Sequence, residues 1–163
     1  MKLSTAISAL LIIGTANVFA ATESPNTVAC RFSNPANNMF TLSAPGIVSP
    51  YPVCQGTEHC LTLTGTLKEP IIAPASLSFI TRFSMNNITA GGSEHDLCAL
   101  LAAQGTPCPV PVTTTSLRVC VPIEPRFPTI WVFDMQSKAR NGNGNPIFCE
   151  TSTIRLSNCT ATA

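Results

Sequence analysis

The chain contains 163 residues, with nine basic and eight acidic side chains and a formal net charge of +1 at pH 7. This near neutrality argues against nucleic-acid binding, which usually leaves a basic stripe on the protein, and gives no reason to expect strong electrostatic attachment to anionic membranes. With 10% charged and 45% hydrophobic residues, the chain has more apolar material than a tight core of this size obviously needs.

Residues 1–20 have the pattern of a secretory signal peptide. Lys2 supplies a positive charge, residues 10–13 (LLII) an apolar centre, and residues 18–20 (VFA) a small-residue cleavage pattern. The apolar stretch is too short to span a bilayer, and no later stretch approaches about 20 uninterrupted apolar residues. We therefore expect a single domain over residues 21–163, secreted or in the lumen of a vacuole or lysosome.

Strand patterns dominate the rest of the chain. They occur at 60–67 (CLTLTGTL), 75–85 (ASLSFITRFSM), 116–123 (SLRVCVPI), 129–136 (TIWVFDMQ) and 147–156 (IFCETSTIRL). The sequence NGNGN at 141–145 predicts a hairpin turn, because Asn and Gly tolerate positive φ. Short strands separated by turns predict an all-β fold, an antiparallel β-sandwich.

One short helix interrupts the strands. Asp96 can cap its N-terminus and Gly105 can end it. Between them, the leucines at 97, 100 and 101 form an i, i+3, i+4 stripe. Two turns of helix are marginal on their own, so a covalent clamp would help this helix to persist.

All eight cysteines follow residue 21, and their even number suits a disulfide framework formed in an oxidising compartment. Zinc is the alternative, but the spacings C-x5-C and C-x9-C lack the close pairs of zinc knuckles. We therefore expect disulfides and no metal site. Two N-x-T sequons, at Asn87 and Asn158, are glycosylation acceptors if the chain is secreted.

Catalytic motifs are sparse. The two histidines, His59 and His95, lie in no nucleophile motif such as G-x-S-x-G. Residues 94–96 (EHD) could form an acid–base cluster, but a polar helix N-terminus is the simpler interpretation. The remaining carboxylates are scattered. A small hydrolase is therefore disfavoured, and we expect no enzymatic activity.

The order of the motifs resembles the ML (MD-2-related lipid-recognition) family, in particular the Niemann–Pick type C2 sterol-binding proteins and the fungal phosphatidylglycerol/phosphatidylinositol transfer proteins. The motifs are SPYPVCQGTEHCLTLTGTL, DLCALLAAQGTPCPV, VPIEPRFP and NPIFCETSTIRL, and the likeness runs from about Cys30 to Leu156. The resemblance implies an immunoglobulin-like sandwich whose two antiparallel sheets leave an apolar cavity for a lipid tail or sterol.

The resemblance also implies three disulfides: Cys30–Cys149, Cys54–Cys60 and Cys98–Cys108. The last would staple the helix beside the cavity mouth. Cys120 and Cys159 depart from the six-cysteine pattern of the family, and their pairing with each other (Cys120–Cys159) is the simplest expectation. Because Cys120 lies on the opposite strand face from Val119, a shuffled arrangement that involves Cys54 or Cys60 stays open.

Several lipid contacts follow from the same resemblance. The motif VPIEPRFP places three residues against the ligand, with Val110 as a weaker carry-over: Ile123, Phe127 and Pro128. The other wall, which no motif fixes, is expected from Phe79, Phe83, Met85 and Ile88.

Two strand registers are open after Pro128. Family spacing points one set inward: Ile130, Val132 and Asp134. That register would bury an unpaired carboxylate at a cost of several kcal/mol. The alternation favours the other set: Trp131, Phe133 and Met135. We prefer the alternation, since a one-residue bulge would reconcile the two, and expect Trp131 and Phe133 to contact lipid.

The function implied by the resemblance is a lipid carrier that moves a sterol or phospholipid between membranes. It would need no cofactor besides the bound lipid, would contact membranes transiently, and we expect it to be a monomer. The alternative is a secreted recognition protein that uses the same cavity as a lipid-dependent interface to a receptor or host component.

Overall fold

The computed structural model describes residues 26–123, 129 and 132–157. These residues form ten strands: β1 (Val28–Ala29), β2 (Phe40–Leu42), β3 (Ile47–Ser49), β4 (Val53–Cys54), β5 (Glu58–Leu67), β6 (Ser76–Phe83), β7 (Thr89–Asp96), β8 (Ser116–Pro122), β9 (Val132–Arg140) and β10 (Pro146–Ser157). They also form a 3-10 helix (Pro35–Asn37) and helix α1 (Leu97–Ala103). The expected signal peptide and six singled-out residues lie outside the described part: Phe127, Pro128, Ile130, Trp131, Asn158 and Cys159.

The strands form two sheets. The first has the order β1-β10-β9-β6-β7, with β4 running parallel to the end of β10. In the second sheet β5 is central, with β8 on one side and β2 and β3 on the other. This arrangement confirms the predicted immunoglobulin-like antiparallel β-sandwich with one short helix.

Alternation along the strands sets the core. On β5, Leu61 and Leu63 are 3% and 1% exposed, and their partners on β8, Val119 and Leu117, are both 2% exposed. These side chains face the first sheet. They form the apolar layer between the two sheets.

The register of β9 follows the alternation and not the family spacing. Phe133 and Met135 are 0% and 3% exposed, whereas Val132 is 40% exposed. Asp134 lies on the outer face, where its Oδ1 accepts a hydrogen bond of 2.8 Å from Thr153 Oγ1. The register that would have pointed Val132 and Asp134 inward is therefore wrong, because it would have placed the carboxylate in the core.

Helix α1 has the predicted caps. Asp96 Oδ1 accepts a hydrogen bond of 3.2 Å from the backbone N–H of Ala99. After the last turn, Gly105 adopts φ +82°, and the N–H of Thr106 donates to the carbonyl of Leu101 at 2.9 Å. This is the Schellman arrangement, which needs a residue that tolerates the left-handed conformation.

Helix α1 and the β9–β10 turn close one end of the sandwich, which we call the closed end. Ile71 and Val110, both 0% exposed, exchange backbone hydrogen bonds of 3.1 and 2.9 Å at this end. The predicted hairpin turn at 141–145 is present, and its Asn141 Nδ2 donates to the carbonyl of Pro70 at 3.0 Å. Asn141 Oδ1 also accepts from the N–H of Ile72 at 2.7 Å.

The disulfides follow the expectation in part. Cys30–Cys149 and Cys98–Cys108 are present, but Cys60 pairs with Cys120, so Cys54–Cys60 and Cys120–Cys159 are wrong. The reason is the strand register: Cys60 and Cys120 lie directly opposite each other on β5 and β8, with 4.0 Å between their Cα atoms. Cys54 lies instead on β4, beside β10 of the other sheet, and is also disulfide-bonded.

Candidate functional site

The end of the sandwich opposite to α1, which we call the open end, contains accessible apolar side chains. Phe83, at the end of β6, and Ile123, just after β8, pack against the core but are only partly buried. At the closed end, by contrast, Leu77, Leu97 and Leu101 are 0–1% exposed. These three leucines are therefore fully buried, whereas Phe83 and Ile123 keep some exposed surface.

Two aromatic rings form part of the open end. Phe83 and Phe133 are paired across β6 and β9, and their ring centroids lie 5.2 Å apart with an angle of 36° between the planes. Ile154 lies opposite Phe133 on β10 and is 2% exposed. Together these side chains present an apolar wall on the inner face of the first sheet.

One long edge of the sandwich is closed by hydrogen bonds. Thr27 Oγ1 donates to Glu150 Oε2 at 2.6 Å and accepts from the N–H of Gly46 at 2.9 Å. A bridge between Asn26 and Ile47 adds to this link between the sheets. Burial raises the pKa of the Glu150 carboxyl, and the hydrogen bond from Thr27 acts in the opposite direction.

The other long edge is open along β7. Ser93 is paired with Phe79, so both side chains are on the same face of the first sheet. Phe79 is 5% exposed, yet Ser93 is exposed, and the neighbouring inner position is Gly91. Because Ser93 is exposed, solvent reaches the inner face of β7 at this position. This edge is the candidate opening to the space between the sheets.

A polar group faces the apolar interior at the open end. His59 is paired with Val121 and alternates with Leu61 and Leu63, so its imidazole is on the inner face of the second sheet. It is 1% exposed, and neither ring nitrogen has a hydrogen-bond partner among the described residues. Burial lowers the pKa of His59 from 6.5 to about 4. Sequence reasoning did not identify His59 as an inward-facing residue, although it has the same strand parity as Leu61 in the segment EHCLTL.

Only some of the residues expected to contact lipid lie together at the open end. The structure brings Phe83, Ile123 and Phe133 to the open end, and Phe79 lies further along the same wall, with its ring 5.7 Å from that of His95. Phe127, Pro128 and Trp131 lie outside the described residues.

Two expectations about this wall need correction. Val110 is 0% exposed and paired with Ile71 at the closed end, so it belongs to that core and not to the open end. Met85 and Ile88 are 97% and 59% exposed. Both lie between β6 and β7, beyond Phe83, where the inward alternation has ended; they therefore do not form the inner wall.

Two other places on the described surface are weaker candidates for a ligand site than the open end. A groove of about 390 Å³ is lined in part by Phe40, Leu42 and Glu150, along the hydrogen-bonded edge. The ligand atoms of Glu58, Cys60 and Cys120 lie within 4.8 Å of one another, but the two sulfurs form a disulfide and supply no thiolate for a metal. Within the described ranges, no helix has the length and apolar composition needed to cross a bilayer.

Comparison with known proteins identifies the family. Residues 24–156 match the ML domain, and no curated protein sequence shows significant similarity to the chain. A Niemann-Pick type C2 protein from Japanese carpenter ant is similar in structure, with a TM-score of 0.45 at 12% identity, over 86% of this chain and 99% of that chain. The C-terminal domain of wzt gives a TM-score of 0.47 at 7% identity, over 83% of this chain and 80% of that chain. Since both scores are below 0.5, the assignment depends on the domain match, which spans most of the sequence: the chain belongs to the ML domain family.

Proposed function

We propose that this chain is a lipid carrier that holds the apolar part of a sterol or phospholipid between its two sheets and moves it between membranes. Its ML domain is a lipid-binding fold. The observation that supports the proposal best is that two apolar side chains at the open end, Phe83 and Ile123, pack against the core and yet are only partly buried.

The energetics favour a hydrocarbon guest. Protein interiors are close-packed, and a space left unfilled between two apolar layers forfeits contacts. Burial of about 400 Å² of lipid surface at about 25 cal/mol/Å² gives a gross gain of about 10 kcal/mol, from which the costs of association are subtracted. Binding of this kind requires no catalytic group and no cofactor.

The proposed compartment is the secretory pathway, extracellular or in the lumen of a vacuole or lysosome. The signal-peptide pattern at residues 1–20 and the disulfides support it. The sequon residue Asn87 is exposed in the loop between β6 and β7, where a glycan would have room. We propose a monomer that contacts membranes transiently during loading and release.

Organic extraction of the secreted, purified protein followed by mass spectrometry tests the proposal. A sterol or phospholipid in about one-to-one ratio to protein is expected. Protein that is empty and cannot be loaded from vesicles would contradict lipid binding.

A transfer assay then separates carriage from recognition. Donor vesicles with a fluorescent sterol or phospholipid are mixed with unlabelled acceptor vesicles, and the protein is expected to accelerate transfer in proportion to its concentration. Stoichiometric binding without accelerated transfer would favour the alternative, a lipid-dependent recognition protein.

A further inference from the structure

His59 occupies a position where the strand pattern calls for an apolar side chain. The inner positions that follow it on β5 are Leu61 and Leu63, and its partner on β8 is Val121, 4% exposed. An imidazole in such surroundings loses its hydrogen bonds to water, and the described residues supply none in return. A polar group buried without a partner destabilises the folded protein.

Other polar groups of the described interior do have partners. Glu150 accepts a hydrogen bond from Thr27, and Asn141 binds the backbone on both sides of its amide. His95, the second histidine, is only partly buried, and its Nε2 lies 2.9 Å from Ser93 Oγ. Buried polar groups are nearly always satisfied in native proteins, so the ring nitrogens of His59 are expected to have a partner that the described residues do not provide.

The position of His59 connects it to the open end. Its strand begins at Glu58, immediately after a turn whose Gly56 and Thr57 exchange backbone hydrogen bonds of 3.0 and 2.9 Å with Ile123. The imidazole is thus on the inner face of the second sheet at the same end as Ile123. A guest that enters between the sheets at this end would meet it.

We propose that His59 is the polar anchor for a lipid that carries a neutral hydroxyl group at one end of an apolar skeleton, such as a sterol or a fatty alcohol. The inference rests on the lipid-binding function proposed above. A neutral imidazole has one N–H donor and one acceptor nitrogen. A hydroxyl both donates and accepts, so it can satisfy a ring nitrogen whichever tautomer is present.

The same surroundings disfavour a charged headgroup at this position. The described inner-face residues near His59 are apolar, so phosphate would have to lose its hydration there without a cation from this part of the chain to pair with it, at a large cost. A phospholipid that inserts only its tails would leave the imidazole unsatisfied. Among the lipids that fit an apolar space, His59 therefore selects for those with a buried hydroxyl.

A matched pair of ligands tests the anchor: cholesterol and its 3-deoxy analogue, each titrated against a bound fluorescent fatty probe. The ratio of the two dissociation constants is measured for the wild type and for His59→Leu, so that the difference in hydrophobicity between the ligands cancels. We expect the preference for the hydroxyl compound to fall about tenfold in His59→Leu, the value of one buried hydrogen bond. The control His95→Leu, the same change at the other histidine, should keep the wild-type ratio.

The outcomes separate the two proposals. An unchanged ratio in His59→Leu, with both ligands still bound, would overturn the anchor and leave lipid binding intact. A wild type that displaces the probe with neither ligand and takes up no phospholipid would overturn the lipid-binding function itself.

A second measurement needs no folded His59 variant. The chain contains two histidines, so ring ¹⁵N signals of the His95→Leu protein report on His59 alone. Cholesterol should shift these signals and the 3-deoxy analogue should not. Bound cholesterol without a shift, for example because an internal water satisfies the ring, would overturn the anchor.

Discussion

Phe83 and Phe133 are paired on β6 and β9 with ring centroids 5.2 Å apart, but Phe133 is fully buried whereas Phe83 is only partly buried. The two rings are in contact with each other but differ in how much of their surface is buried. Phe133 is fully packed in the core at the open end, and Phe83 borders the space that a guest would enter.

Truncation of these two rings should therefore have different effects. Phe133→Ala should lower the free energy of unfolding by about 3–5 kcal/mol, as expected for a fully buried phenylalanine. Phe83→Ala should cost about 1–2 kcal/mol of stability, because less area is lost, but should weaken binding of a fluorescent lipid about tenfold. Urea denaturation and probe titration measure the two quantities. Equal lipid affinity in Phe83→Ala and wild type would show that Phe83 does not contact the guest.

The open edge along β7 predicts that bulk at Ser93 slows loading. Ser93 is exposed on the inner face, so Ser93→Trp should cover the opening and reduce the rate of lipid uptake from vesicles, with little change in stability. Glu94→Trp is the matched control, since the next residue of a strand points to the opposite face. Stopped-flow uptake of a fluorescent lipid measures both. Equal rates in the two variants would place the opening elsewhere.

The buried imidazole predicts a loss of stability in acid. Above pH 6.5, His59 is neutral in the folded and unfolded states. As the pH falls from 6.5 towards 4, the unfolded state binds the proton first, because burial lowers the folded-state pKa to about 4. The free energy of unfolding should fall by about 3 kcal/mol over this range. Urea denaturation between pH 7.5 and pH 4 measures the slope.

His59→Leu provides the comparison, since it should remove this part of the slope. The carboxyl of Glu150 acts with the opposite sign: its pKa is raised by burial, so the folded state holds that proton more tightly and gains stability as the pH falls towards 4.5. The difference between wild type and His59→Leu at each pH isolates the histidine. Parallel curves would mean that His59 is hydrated in the folded protein.

The cross-strand pair Cys60–Cys120 can be mapped chemically. Non-reducing proteolysis and mass spectrometry should yield a peptide with Cys60 linked to one with Cys120. The double variant Cys60→Ser/Cys120→Ser should lose about 4 kcal/mol of stability, and Cys98→Ser/Cys108→Ser about 3 kcal/mol, because the second loop is shorter. A Cys54–Cys60 linkage in the map would contradict the β5–β8 register.

Most of the long strands could be predicted from the sequence, because each has enough residues to show the alternation of buried and exposed side chains. The alternation of Phe133 and Met135 against Val132 decided the register of β9 correctly, where likeness to the family alone would have inverted it. Strands of two or three residues, such as β1 and β4, carry no such signal. Strand β7, TAGGSEHD, was not predicted because its sequence has no alternating apolar pattern. Its place in the sheet comes from pairing with β6 across the hairpin between them.

The candidate site was harder to predict than the fold. Val110 is as apolar as a lipid contact should be, and only the bridge to Ile71 shows that it lies at the closed end. The pairing of Cys60 with Cys120 depends on a register between strands that are far apart in sequence. His59 was weighed for catalysis alone, because absent hydrogen bonds leave no trace in a sequence.

Strand β4 joins the rims of both sheets at the accessible end: it pairs with β10, and the turn after it binds both Ser157 and Ile123 through backbone hydrogen bonds. At this place the two sheets are connected to each other by the backbone of β4 and its turn. We therefore expect a wider guest to be accommodated at the β7 edge, by a change of angle between the two sheets and not by their parallel separation.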